Sequence, residues 1–130
     1  MIMDNAKYRV WYGTENITEG DAFKKGNLRI YLLPDGSLEG FSREGVEWVP
    51  VDCSNLDYEQ CSGLSDITGR LIYEGDIICI YGYYAVVIKE EGSFFTMNNY
   101  VYSSLNRSVD ECEVVGNIHQ NPDLMNLVKE

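Results

Sequence analysis

Apolar and polar positions alternate along the N-terminal half of the chain in the two-residue rhythm of half-buried strands. Tyr8, Val10 and Tyr12 fall on one side and Arg9 and Trp11 on the other, so residues 7–12 are a first predicted strand. Residues 13–26 carry Gly13, Gly20 and Gly26 among polar neighbours and are expected to be loop or short irregular chain. Residues 28–33 suit a pleated surface, and Pro34-Asp35-Gly36 follows directly. Proline presets φ, Asp tolerates a left-handed backbone and glycine supplies positive φ, so this tripeptide predicts a turn and a hairpin to residues 38–42. Val46-Glu47-Trp48-Val49 reads as a further short strand. Pro50 ends it or confines it to a sheet edge, because proline has no N–H to donate. Residues 52–63 are polar and read as loop, with room for one helical turn.

The second half carries the strongest strand signals. Ile77-Ile78-Cys79-Ile80-Tyr81 and Tyr83-Tyr84-Ala85-Val86-Val87-Ile88 are β-branched, aromatic-rich runs hinged at Gly82, and they are expected to pair antiparallel. Glu90-Glu91-Gly92 closes the next turn, Ser93 to Met97 returns, and Asn98-Asn99 predicts a type I′-like reversal into Tyr100-Val101-Tyr102. Glu113-Val114-Val115 is a last strand. Asn121-Pro122 then reads as an N-cap followed by proline at the first helical position, with a short helix over residues 122–129.

Short runs spaced by turn signals, with no helical pattern between them, predict a mainly β chain. The expected architecture is a curled antiparallel sheet or small, partly open barrel with a short C-terminal helix, built as one domain over residues 1–130. A chain of this length buries roughly two-thirds of its unfolded surface and folds without staples. No internal repeat or low-complexity linker divides it.

Charge narrows the partners. The chain carries 21 acidic and 10 basic side chains, a formal net charge of −11, which opposes approach to phosphate backbones and anionic membranes. Residues 1–51 hold 8 acidic and 6 basic side chains, net −2, and residues 52–130 hold 13 and 4, net −9. The anionic part is therefore C-terminal and suits a basic protein partner. Direct nucleic-acid binding requires a local basic patch from Lys7, Arg9, Lys24, Lys25 and Arg29. The first seven residues have neither the basic nor the apolar segment of a secretory signal, and no stretch reaches 18 apolar residues, so a cytoplasmic protein without membrane contact is expected. Cys53, Cys61, Cys79 and Cys112 never form a C-x-x-C pair, and they read as small hydrophobes or inert thiols.

Two stretches are familiar when read whole. Residues 63–78 run Gly-Leu-Ser-Asp-Ile-Thr-Gly-Arg-Leu-Ile-Tyr-Glu-Gly-Asp-Ile-Ile, and residues 115–124 run Val-Gly-Asn-Ile-His-Gln-Asn-Pro-Asp-Leu. In order and spacing they resemble the YopX-like family of phage and prophage proteins. The matching positions are Gly63, Leu64, Asp66, Gly69, Ile72, Tyr73, Glu74, Gly75, Asp76 and Ile77, then Gly116, Asn117, Ile118, Asn121 and Pro122. Lys7-Tyr8-Arg9-Val10-Trp11 is similar to that family's opening, and the likeness runs closest from Gln60 onward. Cys61-Ser62 stands where the family has an aromatic residue and Thr, and Tyr12 where Asp is frequent. The resemblance implies a mostly β, barrel-like domain encoded in phage or mobile genomes and working in a bacterial host. It implies no established activity, catalytic residue or cofactor.

Candidate chemistry is sparse. Glu74 and Asp76, two apart, point to one face of a strand and could share a divalent cation or divide acid and base roles in a small metal-assisted hydrolase. The same residues also fit a glycine-centred turn entering a buried strand, with the carboxylates accepting from nearby backbone amides. His119 is the sole histidine and precedes Asn121-Pro122, where an imidazole more readily steadies a turn than acts as a base. Gly63 and Gly69 bracket Ser65-Asp66 without the Lys and Thr of a phosphate-binding loop. Tyr81, Tyr83, Tyr84, Tyr100 and Tyr102 lie in a stretch where Lys89 is the one cation, which favours cross-strand packing or an interface over a nucleic-acid platform. The expectation is a non-catalytic accessory protein without cofactor that binds a basic host or phage protein, with self-association open through its sheet edges.

Overall fold

A computed structural model of the chain describes residues 8–19, 22–54 and 56–129. The chain divides into two compact units, Met1–Tyr58 and Glu59–Glu130. The mainly β class read from the sequence is the observed one: each unit is built of antiparallel strands, with one short α-helix near the C-terminus among the described residues.

In the N-terminal unit, β1 (Tyr8–Tyr12) turns at Gly13 into β2 (Glu15–Asn16). A five-stranded antiparallel sheet follows, built in chain order from β3 (Thr18–Glu19), β4 (Ala22–Lys25), β5 (Leu28–Leu32), β6 (Leu38–Glu44) and β7 (Glu47–Val51). The expected loop over residues 13–26 is thus partly strand. Its strands are two to four residues long and mostly polar, so they carry no periodicity to read. Leu33–Ser37 forms the expected turn, with the Gly36 amide donating to the Leu33 carbonyl at 2.9 Å. Pro50 sits in β7, the edge strand, where its missing donor leaves no ladder bond unmade. Val10, Ile17, Phe23, Ile30, Leu32 and Leu56 make the core of this unit.

The polar stretch read as loop over residues 52–63 is largely β8 (Leu56–Ser65). The reading missed it because Glu59, not an apolar residue, is among the side chains it buries. The C-terminal unit continues with β9 (Leu71–Tyr73), β10 (Asp76–Ile80), β11 (Tyr83–Glu90), β12 (Ser93–Met97), β13 (Tyr102–Ser104), a 3-10 turn at Leu105–Arg107, β14 (Cys112–Asn117) and the helix α1 (Leu124–Val128). β10 to β14 form one antiparallel sheet in the order β13-β12-β11-β10-β14.

The unbroken apolar run of β10 has a physical cause, since both faces of the strand are covered. Ile78 packs with Ile72, Ala85, Val87, Leu105, Cys112 and Val114. Ile77 packs with Val86 and Val128, and Leu124 and Met125 close over that side. The pairing with β14 shifts register between Ile77 and Ile78, and both side chains are fully buried. Burying each contributes about 2 kcal/mol.

Two local expectations fail at asparagines. Asn98 and Asn99 do not form a type I′ turn. Met97 pairs with Tyr102, leaving a four-residue loop, and Oδ1 of Asn98 accepts the amides of Tyr100 and Val101, both at 2.8 Å. The side chain caps the loop from within, so no positive φ is needed. At the other site, α1 starts after Asp123, and Asn121 is not its N-cap. Oδ1 of Asn121 instead accepts the amide of Asn117 at 3.2 Å. No helix among the described residues is long and apolar enough to cross a membrane.

Candidate functional site

Residues 66–70 form a turn held by one buried carboxylate. Oδ1 of Asp66 accepts the Thr68 amide at 2.8 Å, the Thr68 hydroxyl at 2.6 Å and the Arg70 amide at 3.0 Å. Oδ2 accepts the Val114 amide at 2.8 Å, and the Ile67 amide donates to the Cys112 carbonyl at 3.0 Å. Burial pushes the Asp66 carboxyl up, but the bonds from Thr68, Val114 and Arg70 together outweigh it and hold the group below its ordinary value. Burial, and next the Asp66 charge, raise the Cys112 thiol. Ile72 and Leu64 pack into the same core, so this stretch ties a turn to β14.

The segment Tyr73–Asp76 is knitted into three neighbours. The Gln60 amide donates to Oε1 of Glu74 at 2.8 Å, while the Glu74 amide donates to the Gln60 carbonyl at 3.0 Å. Oδ2 of the buried Asp76 accepts the Tyr73 amide at 2.8 Å. Gly75 donates its amide to the Val87 carbonyl at 2.8 Å and accepts the Ile118 amide at 3.0 Å. Its φ is +85°, and a Cβ built on it would lie 1.8 Å from Oε2 of Glu59. Glycine is therefore required twice over, for backbone conformation and for space. That same oxygen lies 3.2 Å from Nε2 of His119, and both side chains are largely shielded from water. Glu59 was not among the residues the sequence singled out, and no periodicity in residues 56–65 marks it.

The second motif is also a main-chain clamp. Oδ1 of the buried Asn117 accepts the amides of His119 at 3.0 Å and Gln120 at 2.8 Å, and its Nδ2 donates to Oε1 of Gln120 at 3.1 Å. Gly116 lies so close to Asn121 that a Cβ would come within 2.5 Å of Oδ1. Oε1 of Glu74 and Oδ2 of Asp76 thus accept from different amides. Among the described residues no group of three or more His, Cys, Asp or Glu side chains is arranged to hold a metal ion.

The tyrosines form a different kind of surface. Tyr81, Tyr83 and Tyr100 are 74%, 67% and 80% exposed, at neighbouring hairpin tips of the C-terminal sheet. They line a cavity of about 430 Å³ whose other walls include Ile80, Ala85 and Glu111. A second cavity of about 250 Å³ shares Tyr83, Asn98 and Tyr100. Neither is lined by Glu59, Glu74, Asp76 or His119. Tyr81 and Gly82 are the two loop residues between the paired Ile80 and Tyr83, with φ of +50° and +85°. A type I′ turn of this kind normally takes Asn, Asp or Gly first, and a left-handed tyrosine costs roughly 1–2 kcal/mol. The Tyr81 phenol bonds the Glu111 carboxylate, which raises the phenol above its ordinary value. Tyr102 stacks on Phe95 at 4.9 Å and donates to Oε2 of Glu90 at 2.8 Å. Tyr84 is half-buried against the Ile77 cluster.

The candidate basic residues that the structure describes belong to the N-terminal unit. Lys7 lies outside the described residues, as does the side chain of Lys25. Arg9 is buried with its guanidinium 5.2 Å from the Trp11 ring centre. Arg29 bonds the carbonyls of Gly26 and Leu28 and lies 5.8 Å from the Trp48 ring centre, and Lys24 is half-buried. All four cysteines are free; burial foremost, then Asp52 and Glu39, raise the Cys53 thiol.

The family model described as YopX protein matches residues 7–126. The chain is similar in fold to the crystal structure of YopX from Bacillus subtilis, with a TM-score of 0.59 and 21% identity, over 92% of this chain and 98% of that one. A protein from Enterococcus faecalis is similar with a TM-score of 0.55 and 21% identity, over 92% of this chain and 96% of its own. No curated protein matches the chain.

Proposed function

The chain belongs to the YopX family, and from that premise we propose that it is a non-catalytic phage or prophage accessory protein that acts by binding another protein. Its binding face is the anionic, tyrosine-bearing end of the C-terminal unit, and its partner is a basic protein of the bacterial host or the phage. The observation that carries this reading is the group of exposed tyrosines Tyr81, Tyr83 and Tyr100 around a cavity. Large exposed aromatic residues contribute most of the energy at protein interfaces. Residues 59–130 hold 11 acidic against 4 basic side chains, net −7, which steers a cationic partner toward them.

The motif residues support the reading from the other side. Asp66, Glu74 and Asp76 each accept backbone amides that hold turns, and the tyrosine-lined cavity is not lined by them. The test is capture of host proteins on the immobilised wild-type chain at low and at moderate salt. The account expects a partner released as salt rises. A partner retained equally at both salts, or no partner, counts against it.

A further inference from the structure

We infer that the cavity between the Tyr81-Gly82 hairpin and the Asn98–Val101 loop is a pocket for a cationic side chain, guanidinium or alkylammonium, from a basic segment of the partner. The inference rests on the binding reading above and names what that face would recognise. Three tyrosines and one carboxylate residue, Glu111, line the cavity together with the apolar Ile80 and Ala85. None of the four basic side chains of residues 59–130, those of Arg70, Lys89, Arg107 and Lys129, lines it. Aromatic faces attract cations through their quadrupole, and a carboxylate within the same cavity adds charge and a hydrogen-bond acceptor. A purely apolar ligand would gain nothing from Glu111.

The walls are held in place before any ligand arrives. Asn98 fixes the Tyr100 loop by accepting its amides, and its Nδ2 donates to the Tyr84 carbonyl at 3.2 Å, which joins that loop to β11. Nδ2 of the Asn99 side chain donates to the Lys129 carbonyl beyond α1. Tyr81 is kept in its left-handed conformation with its hydroxyl bonded to Glu111. Loops tied down in this way lose little backbone freedom on binding, which suits recognition of a single extended side chain.

The experiment titrates the labelled full-length protein with three blocked pentapeptides that differ in their central residue, arginine, lysine or citrulline, followed by NMR. The expected result is that at least one cationic peptide binds with a dissociation constant of about 1 mM or tighter and shifts resonances of Ile80, Ala85 and Val101, while citrulline binds at least about tenfold more weakly. Comparing the arginine and lysine arms tells which cation the pocket takes. Equal binding of citrulline overturns the inference. So do shifts that grow with protein concentration alone, which would assign the face to a second copy of the chain. Tyr81→Gly relieves the strained φ, so it is expected to keep or raise the melting temperature while weakening the cationic peptide by about tenfold. Unweakened binding by that folded variant overturns it as well. A host partner that Tyr81→Gly still captures fully refutes the pocket and leaves the binding reading standing. Peptide binding without any captured partner does the reverse.

Discussion

Oδ2 of Asp66 accepts the backbone amide of Val114 at 2.8 Å, joining positions 48 residues apart. With Oδ1 accepting three further donors, this one carboxylate closes the 66–70 turn and fastens it to β14. Removing it leaves buried amides without an acceptor. Asp66→Ala is expected to lose about 3 kcal/mol of stability in chemical denaturation, and a loss under about 1 kcal/mol would contradict the role.

The same carboxylate sets an acid limit. Its folded-state pKa is lowered from 3.8, so its contribution is full above that value and is lost as pH falls through the depressed folded value. The stability gap between wild type and Asp66→Asn, which cannot titrate, is therefore largest well above pH 3.8 and shrinks as pH falls below that value. A gap that widens on acidification would reverse the sign.

Gly75 and Glu59 should be energetically coupled. Gly75→Ala is expected to cost about 3 kcal/mol through its left-handed φ and the clash with the Glu59 carboxylate. Shortening Glu59 to Ala removes the clash and leaves only the backbone strain. In the double-mutant cycle the two changes should cost at least about 1 kcal/mol less than their sum, and strict additivity would show that the two positions do not meet.

Glu91 is an exposed residue with φ of +49°, first of the two loop residues between the paired Glu90 and Ser93. Glu91→Asn fits a type I′ turn better and is expected to stabilise by about 0.5–1 kcal/mol in thermal unfolding. Destabilisation would mean that the glutamate side chain makes a contact worth more than the strain.

Glu74 and Asp76 give the metal-hydrolase alternative its test. One oxygen of each accepts from a different amide, Gln60 or Tyr73, and among the described residues no third acidic, Cys or His side chain joins them in a metal-holding group, so adding Mg²⁺, Mn²⁺ or Ca²⁺ is expected to leave the melting temperature unchanged. A rise that Asp76→Asn abolishes would revive that alternative.

The strands from β10 to β12 were legible because Ile, Val, Tyr and Phe cluster there and tight turns separate them. β8 was not, because a buried glutamate at position 59 reads as surface until its neighbours His119 and Gly75 are brought against it by the fold. Asn98 and Asn121 misled for a related reason: each side chain bonds the backbone of its own loop, and sequence alone does not tell a cap from a left-handed turn. Of the candidate site, the tyrosines were visible as a composition and Glu74 and Asp76 as a pair. The cavity was not, since it joins residue 81 to residues 100 and 111 through sheet pairing that has no local signature.

The central claim separates structure from recognition: the motif carboxylates hold the fold, and the tyrosine-lined end does the binding. The most direct measurement pairs melting temperature with cationic-peptide affinity for Asp66→Asn and for Glu111→Gln. The account predicts that Asp66→Asn melts lower yet binds as wild type where folded, and that Glu111→Gln melts as wild type yet binds at least about threefold more weakly. Affinity lost in Asp66→Asn and kept in Glu111→Gln would contradict it.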